Sequence, residues 1–236
     1  QGATAWIYGA EWSTLDGLSV AFKGDTILTV NSSRIPLTDE QDYTLEFWFK
    51  AFTGQKDAAL VSNGKGLGEE NNTSYNKVFV GFAGGKLVFR NNDHEEEVAG
   101  HWADGNWHHF AVSVNRNAGN AQIFMDGSLN VYFDAGQLGG FSGTSLYLGA
   151  RRWTEASQMV DHTDMYLKGE IDELSLWNMA LPSSVIADKY NVCPKGTEMG
   201  LMAYLPFSKY IRNSANVQEL VFSGEDMVTD STLVGD

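Results

Sequence analysis

The sequence contains one cysteine, Cys193, and only four prolines among its 236 residues. A single cysteine excludes an intrachain disulfide and a cysteine-based zinc cluster, so a small disulfide-stapled module is excluded as well. No apolar run approaches the roughly 20 residues that a helix needs to cross a bilayer, and membrane insertion is not expected. The sequence opens at Gln1 without a basic segment followed by an apolar one, so we expect a signal peptide to be absent or already removed.

Positive charge is also scarce, since 16 lysines and arginines stand against 30 acidic residues and leave a formal net charge of -14. A nucleic-acid-binding surface needs a cation at each phosphate contact, so no nucleic-acid partner is expected. An acidic surface is typical of a soluble extracellular protein. Because carboxylates are also calcium ligands, the composition is compatible with one structural Ca²⁺.

Glycine and aromatic residues, in contrast, are abundant, at 25 residues and 12% of the chain. Apolar and polar residues alternate over residues 43–50, which predicts a half-buried strand. Residues 77–82 and 86–90 flank a glycine pair and predict a hairpin, and Asp126-Gly127 predicts a second one.

Further short strand patterns recur as far as residue 207, whereas one stretch only is helical in pattern. It follows Pro182 and reaches Tyr190, with Ser183 as the predicted N-cap. Many strands with one short helix near the C-terminal end predict an all-β fold, a two-sheet antiparallel jelly-roll sandwich. We expect residues 1–198 to form this domain, and residues 199–236 to form a C-terminal strand and tail that pack on the domain or leave it.

Three polar connections stand out by their length, residues 64–76, 91–104 and 151–168. Loops of this length in a compact domain are usually functional or mobile. We therefore expect the binding residues to lie in such loops.

Several motifs resemble, in their order, the laminin-G-like and pentraxin-like branch of the concanavalin A-like lectin/glucanase superfamily. They are Tyr43-Thr-Leu-Glu-Phe-Trp-Phe49, Asp104-Gly-Asn-Trp-His-His-Phe110 with Asp126-Gly127, and Leu146-Tyr-Leu-Gly149 with Lys168-Gly-Glu-Ile-Asp-Glu173. The resemblance implies the jelly-roll fold and a secreted or cell-surface (extracellular) domain of a bacterial protein. It also implies a glycan or a cell-surface protein as partner.

The same superfamily includes glycan hydrolases similar to laminarinases, whose strand carries two glutamates around an aspartate. The segment Glu170-Ile-Asp-Glu173 begins in that way, but Leu174 and Ser175 occupy the positions of the second glutamate. Strict strand alternation also predicts that Glu173 faces away from Glu170 and Asp172. We therefore expect no catalytic residues and predict a non-catalytic carbohydrate-binding, lectin-like module. The alternatives are a protein-binding adhesion or scaffold domain and, less favoured, a glycoside hydrolase.

Pentraxins hold calcium through an acidic triplet at the place where this sequence has Ala150-Arg151-Arg152, followed by Trp153. Two guanidinium groups beside an indole predict a site for an anionic sugar, a sulfate or a carboxylate. Trp102 and His101 are predicted to add a stacking platform for a sugar ring. In the alternative interpretation, a tryptophan fills one end of a sheet and the arginines pair with surplus acids. The sequence does not separate the two.

A structural calcium ion is implied by the resemblance, since related sandwiches connect their first and last strands through one ion. Asp25 and Asp172 are the predicted ligands. In the alternative, Asp172 accepts hydrogen bonds from backbone amides at a bulge.

Overall fold

The computed structural model describes residues 11–12, 19–31, 37–38, 40–63, 67–68, 78–92, 94–140, 145–155, 160–207 and 221–223. In these ranges two large antiparallel sheets pack face to face, and one short helix lies near the C-terminal end. The prediction of an all-β jelly-roll sandwich is thereby confirmed. Among the described residues no helix has the length and apolar character needed to cross a membrane.

The elements follow one another along the chain as short strands with one α-helix. They are β1 (Glu11–Trp12), β2 (Val20–Lys23), β3 (Leu28–Asn31), β4 (Tyr43–Ala51), β5 (Ala58–Asn63), β6 (Leu67–Gly68), β7 (Val78–Ala83), β8 (Lys86–Asn91), β9 (His94–Glu97), β10 (His108–Asn115), β11 (Asn120–Met125), β12 (Ser128–Asp134), β13 (Ser145–Leu148), β14 (Arg151–Glu155), β15 (Val160–Asp164), β16 (Lys168–Trp177), α1 (Ser183–Lys189), β17 (Leu201–Leu205) and β18 (Val221–Ser223).

The first sheet has the order β1-β2-β16-β4-β10-β11-β12, with β17 paired to β16 beside β2. The second sheet has the order β18-β3-β13-β5-β7-β8-β9. A small third sheet has the order β15-β14-β6. Neighbours in space are often distant in sequence, as expected of a jelly roll.

The core lies between the two large sheets and is built by strand alternation. Tyr43, Leu45, Phe47 and Phe49 are fully buried, whereas the alternate residues of β4 point to the opposite, outer face. Burying each large apolar side chain contributes about 1.5–3 kcal/mol. The alternation in β4 therefore fixes which face of the first sheet is available to a ligand.

The two predicted hairpins are confirmed, β7–β8 around Gly84-Gly85 and β11–β12 around Asp126-Gly127. Asp126 and Gly127 both have positive φ, 50° and 75°. That pair of angles is typical of the two-residue turn that matches the twist of the flanking strands.

Helix α1 packs on the outer face of the first sheet, where Ile186 joins a buried cluster with Ala111, Phe124 and Trp177. The prediction that Ser183 caps the helix is wrong. Pro182 holds the N-cap position without a side-chain cap bond, and the Ser183 hydroxyl donates to Gln122 at 3.1 Å. The hydroxyl thus contacts β11 and does not cap α1.

All three predicted long loops contain strands, since residues 64–76 include β6. Residues 91–104 include β9, and residues 151–168 include the hairpin β14–β15. Met165, just after that hairpin, packs on Phe79 and Val88, which point outward from the second sheet. Of residues 64–76 only 67–68 belong to the described part of the chain.

The C-terminal region contributes one strand to each large sheet. β17 pairs with β16, and Ala203, Leu205 and Phe207 are buried in the main core. β18 pairs with β3. The domain boundary after residue 198 stays a prediction.

Candidate functional site

A bulge in β16 decides which carboxylates reach the outer face of the first sheet. Asp172 pairs with Trp48 of β4, but the next pair is Ser175 with Glu46, so two residues of β16 oppose one of β4. Glu173 occupies the bulge with φ 51°, in the left-handed region. The bulge lets Ile171 and Leu174 both enter the core while Glu173 stays outside. The prediction that alternation turns Glu173 to the opposite face is therefore wrong.

Beside this bulge lies a pocket of about 180 Å³, which we call the outer-face pocket. Its strand side is formed by Glu46, Trp48, His109, Glu173 and Ser175, and its other side by residues 190–194, which follow α1. The Trp48 indole donates to the Tyr190 carbonyl oxygen at 3.2 Å, and the two rings stack at 6.0 Å. This pair holds the chain after the helix against the sheet.

One wall of the outer-face pocket is formed by the polar side chains of Glu46 on β4 and His109 on β10. The Glu46 carboxylate accepts a hydrogen bond from the Trp177 indole at 2.9 Å, and its second oxygen lies 3.6 Å from Nε2 of His109. His109 is 2% exposed, and its Nδ1 is a buried nitrogen that has no hydrogen-bond partner among the described residues. A buried polar atom in that state costs about 1–3 kcal/mol.

The opposite wall contains Glu173, whose carboxylate accepts a short hydrogen bond from the Tyr204 hydroxyl. Burial raises the pKa of Glu173, against the effects of its hydrogen bonds with Tyr204 and Cys193. Burial also raises the pKa of the Cys193 thiol, and the negative charge of Glu173 adds to that shift. This wall can therefore donate a hydrogen bond from the Cys193 thiol and accept one at the Glu173 carboxylate.

Asp172 borders this region on β16, and its Oδ1 accepts the Glu173 backbone N–H at 2.8 Å. This is the bulge-stabilising role that was the alternative to calcium ligation. Burial, followed by the charges of Glu173 and Glu170, raises the pKa of Asp172 to about 7. A carboxyl with that pKa is partly protonated near neutrality and is a poorer cation ligand for that reason.

The structure does not bring Asp172 together with Asp25, the other predicted calcium ligand. Lys23 pairs with Lys168, and Asp172 lies four positions further along β16, about 13 Å away at the rise of a strand. Asp25 lies beyond Lys23, is exposed, and accepts a hydrogen bond from the Thr26 hydroxyl at 2.9 Å. Calcium needs ligand oxygens at about 2.3–2.6 Å, so these two carboxylates do not fit one shared ion.

The predicted anion site lies in β14, within the small third sheet. Arg151 forms a two-pronged ion pair with Asp164 of β15, with nitrogen-to-oxygen distances of 2.7 and 2.5 Å. Arg152 is half-buried, and the backbone of Trp153 pairs with His162. The Arg151 geometry matches the alternative in which an arginine pairs with a surplus acid. Binding by Arg151, Arg152 and Trp153 stays a prediction.

Trp102 and His101 lie elsewhere, in the connection from β9 to β10. The Trp102 indole donates to the carbonyl oxygens of Val98 and Ala99 and packs edge-on against His108 at 4.9 Å. It also packs against the main core. The ring thus closes one end of the sandwich, whereas His101 is exposed, and their predicted role as a platform for a sugar stays untested.

The residues of the outer-face pocket were missed by the sequence analysis, although one signal was present. Glu46, Trp48 and His109 occupy the polar phase of strands whose apolar phase was recognised. A tryptophan in the polar phase of a central strand places a large apolar side chain outside the core, which indicates a covered or ligand-contacting outer face. The participation of Tyr190 and Cys193 had no local signal, because it depends on where the chain runs after α1.

The arrangement was compared with known proteins. No curated protein sequence matches the chain. Among solved structures, similar ones include a proposed carbohydrate binding protein from Bacteroides ovatus, with 14% identity and a TM-score of 0.60, over 80% of this chain and 50% of that one. The binding domain of botulinum neurotoxin DC in complex with SialylT is similar at 13% identity and a TM-score of 0.55, over 80% and 47%.

A third similar structure is the native heptameric SAP-like pentraxin from Limulus polyphemus, with 14% identity and a TM-score of 0.57, over 82% of this chain and 93% of that one. This chain spans about half the length of the first two proteins. At these identities the likeness concerns the fold alone. A family model described as concanavalin A-like lectin/glucanases superfamily matches residues 22–187, so the chain belongs to that superfamily.

Proposed function

We propose that this protein is a non-catalytic carbohydrate-binding module of an exported or cell-surface protein, and that the sugar binds in the outer-face pocket. The observation that carries the proposal is the pocket itself, in which aromatic rings and hydrogen-bonding groups converge on one open site. Sugar recognition combines apolar ring faces with a few placed polar groups. A volume of about 180 Å³ suits one sugar ring, and the rest of an oligosaccharide would extend outside the pocket.

The hydrogen-bonding groups of the pocket fit the hydroxyls of a sugar. Glu46 and Glu173 are acceptors, and the Ser175 hydroxyl can donate or accept. Trp48 and Tyr190 supply the apolar surface.

The similar structures support binding as the general function. One is described as a proposed carbohydrate binding protein, and another is a toxin binding domain in complex with SialylT. The acidic composition supports an exported setting. Fractionation of the producing cell tests this, because recovery of the protein only from the cytosol would contradict it.

Glycoside hydrolysis is the second candidate, and the bulge at Glu173 favours it because Glu46 and Glu173 line the same pocket. A retaining hydrolase needs two carboxyl groups about 5–5.5 Å apart, one as the acid/base and one as the nucleophile. Here Glu46 is engaged by Trp177 and lies near His109, while Glu173 accepts from Tyr204. Carboxylates whose oxygens are held by other side chains in this way are better suited to orient a ligand than to act as an acid/base and a nucleophile.

The first experiment measures glycan binding and hydrolysis together. We expect the protein to bind members of a glycan array and to release no reducing ends from them over hours. Glu173→Gln should weaken binding about tenfold, equivalent to 1.4 kcal/mol, with little change in stability, because burial already disfavours the charge. Release of reducing ends that Glu173→Gln abolishes would replace the proposal with hydrolysis.

Two tryptophan variants locate the site. Trp48→Ala should abolish glycan binding, whereas Trp153→Ala should leave it unchanged; the reverse result would favour the site predicted at Arg151, Arg152 and Trp153. Tyr132→Ala is the matched control, since Tyr132 is a 62% exposed aromatic residue on edge strand β12 of the same sheet. An array without any bound glycan would overturn the proposal in favour of a protein-binding scaffold.

A further inference from the structure

The outer-face pocket places two carboxylates beside two stacked aromatic rings. Glu46 and Trp48 lie two positions apart on the outer face of β4, about 7 Å at the rise of a strand. Glu173 lines the same pocket from the bulge of β16, and Tyr190 lines it from the chain after α1. Aromatic ring faces carry partial negative charge and attract organic ammonium groups, as carboxylates do. The lining therefore combines the two kinds of group that recognise a positively charged ligand.

The hydrogen bonds that the two carboxylates accept come from neutral donors. The Trp177 indole donates to Glu46 at 2.9 Å, and the Tyr204 hydroxyl donates to Glu173. An ionised carboxylate can accept about four hydrogen bonds, so each of these groups keeps acceptor positions for a ligand. Hydrogen bonds between charged partners are roughly twice as strong as those between neutral ones. A protonated amine therefore uses these acceptors better than a sugar hydroxyl does.

The charges near the pocket are compatible with a cationic ligand. Lys50 forms an ion pair with Glu170 at 3.2 Å, and this cross-strand pair lies beyond Trp48, on the side away from Glu46. Nε2 of His109 lies 3.6 Å from Glu46, and a histidine contributes charge there only when it is protonated. Over the whole chain the formal net charge is -14, and a field of that sign attracts cations.

A bound cation also offsets the burial of Glu173. Burial raises the pKa of Glu173 because it disfavours the charged carboxylate, while the hydrogen bonds with Tyr204 and Cys193 act in the opposite direction. A positive charge within about 4–6 Å of a carboxylate favours its charged form. An ammonium group in the pocket therefore compensates a cost that a neutral sugar leaves in place.

We infer that the outer-face pocket binds an amino sugar, with its protonated amino group at Glu46 and Glu173 and its ring against Trp48. This inference rests on the proposed function and adds the ligand class to it. The N-acetylated form of the same sugar has no positive charge, and a uronic acid or a sulfated sugar carries a charge that carboxylates repel. The pocket thus distinguishes sugars by the charge of one substituent on the ring.

Isothermal titration of three β1,4-linked glucose-type oligosaccharide sets tests this, because the sets differ only in the group at C2. Cello-oligosaccharides carry a hydroxyl there, chitin oligosaccharides an acetylated amine, and chitosan oligosaccharides a free amine. At about pH 6, where a primary amine is protonated, the chitosan set should bind about tenfold or more tightly than either neutral set. Salt at about 0.15 M limits the Debye length to about 8 Å, so that distant charges contribute little.

Equal affinity for the three sets, or preference for a neutral set, overturns this inference alone. The same holds if the protein binds other glycans of the array but not the chitosan set. A protein that binds none of the three sets and no glycan of the array overturns the proposed function as well.

A pair of glutamate variants shows whether the preference arises in the pocket. Glu173→Gln keeps the shape of the side chain and removes its charge, so the ratio of chitosan to chitin affinity should fall to about twofold or less. Glu97→Gln is the matched control, because Glu97 is an exposed residue of the second sheet that pairs with Lys86. It removes the same charge elsewhere and should leave the ratio unchanged. A ratio that survives in Glu173→Gln, or falls equally in Glu97→Gln, overturns the inference.

Two further variants check the same ratio independently of Glu173. In Glu46→Gln the amide oxygen can still accept from the Trp177 indole, and the ratio should fall as it does in Glu173→Gln. Phe52→Ala is the aromatic control, because Phe52 directly follows β4 and its side chain is 52% exposed. It should leave both affinities unchanged. Loss of the preference in Phe52→Ala but not in Glu46→Gln would place the amine outside the pocket and overturn the inference.

Discussion

The outer face of the second sheet carries apolar side chains, Phe79, Val88 and Tyr147, that are covered by residues after the β14–β15 hairpin. The outer face of the first sheet carries Glu46, Trp48, Lys50, Glu170 and the bulge at Glu173, and α1 covers only part of it. Both sheets share one core and the same alternation. The comparison teaches that one outer face is covered by apolar packing, while the other keeps polar groups at positions where a ligand can reach them.

The largest effect expected is on the covered face. Phe79→Ala should destabilise the protein by about 3 kcal/mol, because it removes a ring that is 2% exposed and packs with Ala59, Val88 and Met165. Urea denaturation measures the loss. Phe52→Ala on the other face is the control and should cost less than about 0.5 kcal/mol. A loss below about 1 kcal/mol for Phe79→Ala would show that the hairpin does not seal this face.

The next effect is a pH dependence from the first sheet. The pKa of Asp172 is raised to about 7, so between about pH 4 and 7 the folded protein holds a proton that the unfolded chain releases. This stabilising contribution is complete below the usual aspartate pKa and is lost as the pH rises through 7. The loss should be about 2 kcal/mol for a carboxyl that is partly exposed to solvent.

Asp172→Asn tests this, since the amide oxygen can still accept the Glu173 N–H. Thermal melts between pH 4 and 8 should show a flatter profile for Asp172→Asn than for the unmodified protein, with higher stability at pH 8. Asp25→Asn, at an exposed turn, should leave the profile as it is. An unchanged slope in Asp172→Asn would assign the pH dependence to other groups.

The smallest effect concerns the ion pair on the hairpin over the second sheet. A double-mutant cycle of Arg151→Met and Asp164→Asn should give a coupling of about 1 kcal/mol or less, because both side chains are partly exposed. Glycan affinity of Arg151→Met should change less than twofold. Loss of binding at unchanged stability would move the ligand to the hairpin and reverse the comparison of the two faces.

The strands and their inner faces could be predicted because their signals are local. Tyr43 to Phe49 alternate within one strand, and Asp126-Gly127 specifies its turn with two residues. The outer-face pocket was not predicted, because long polar connections were favoured as binding loops and the central strands were interpreted as structural. The hairpin in residues 151–168 shows the weakness of that preference, since a polar composition does not exclude strand pairing.

By itself the sequence determined the sandwich, its hairpins and its short helix, since alternation and turn residues act over a few neighbours. The order of the motifs indicated the superfamily. Only the tertiary structure decided the position of the Glu173 carboxylate, the pairing of Lys23 with Lys168, and the approach of Tyr190 and Cys193 to β4. These depend on register between strands that are far apart in the chain. A bulge of one residue changes that register, and with it the face on which every later side chain lies.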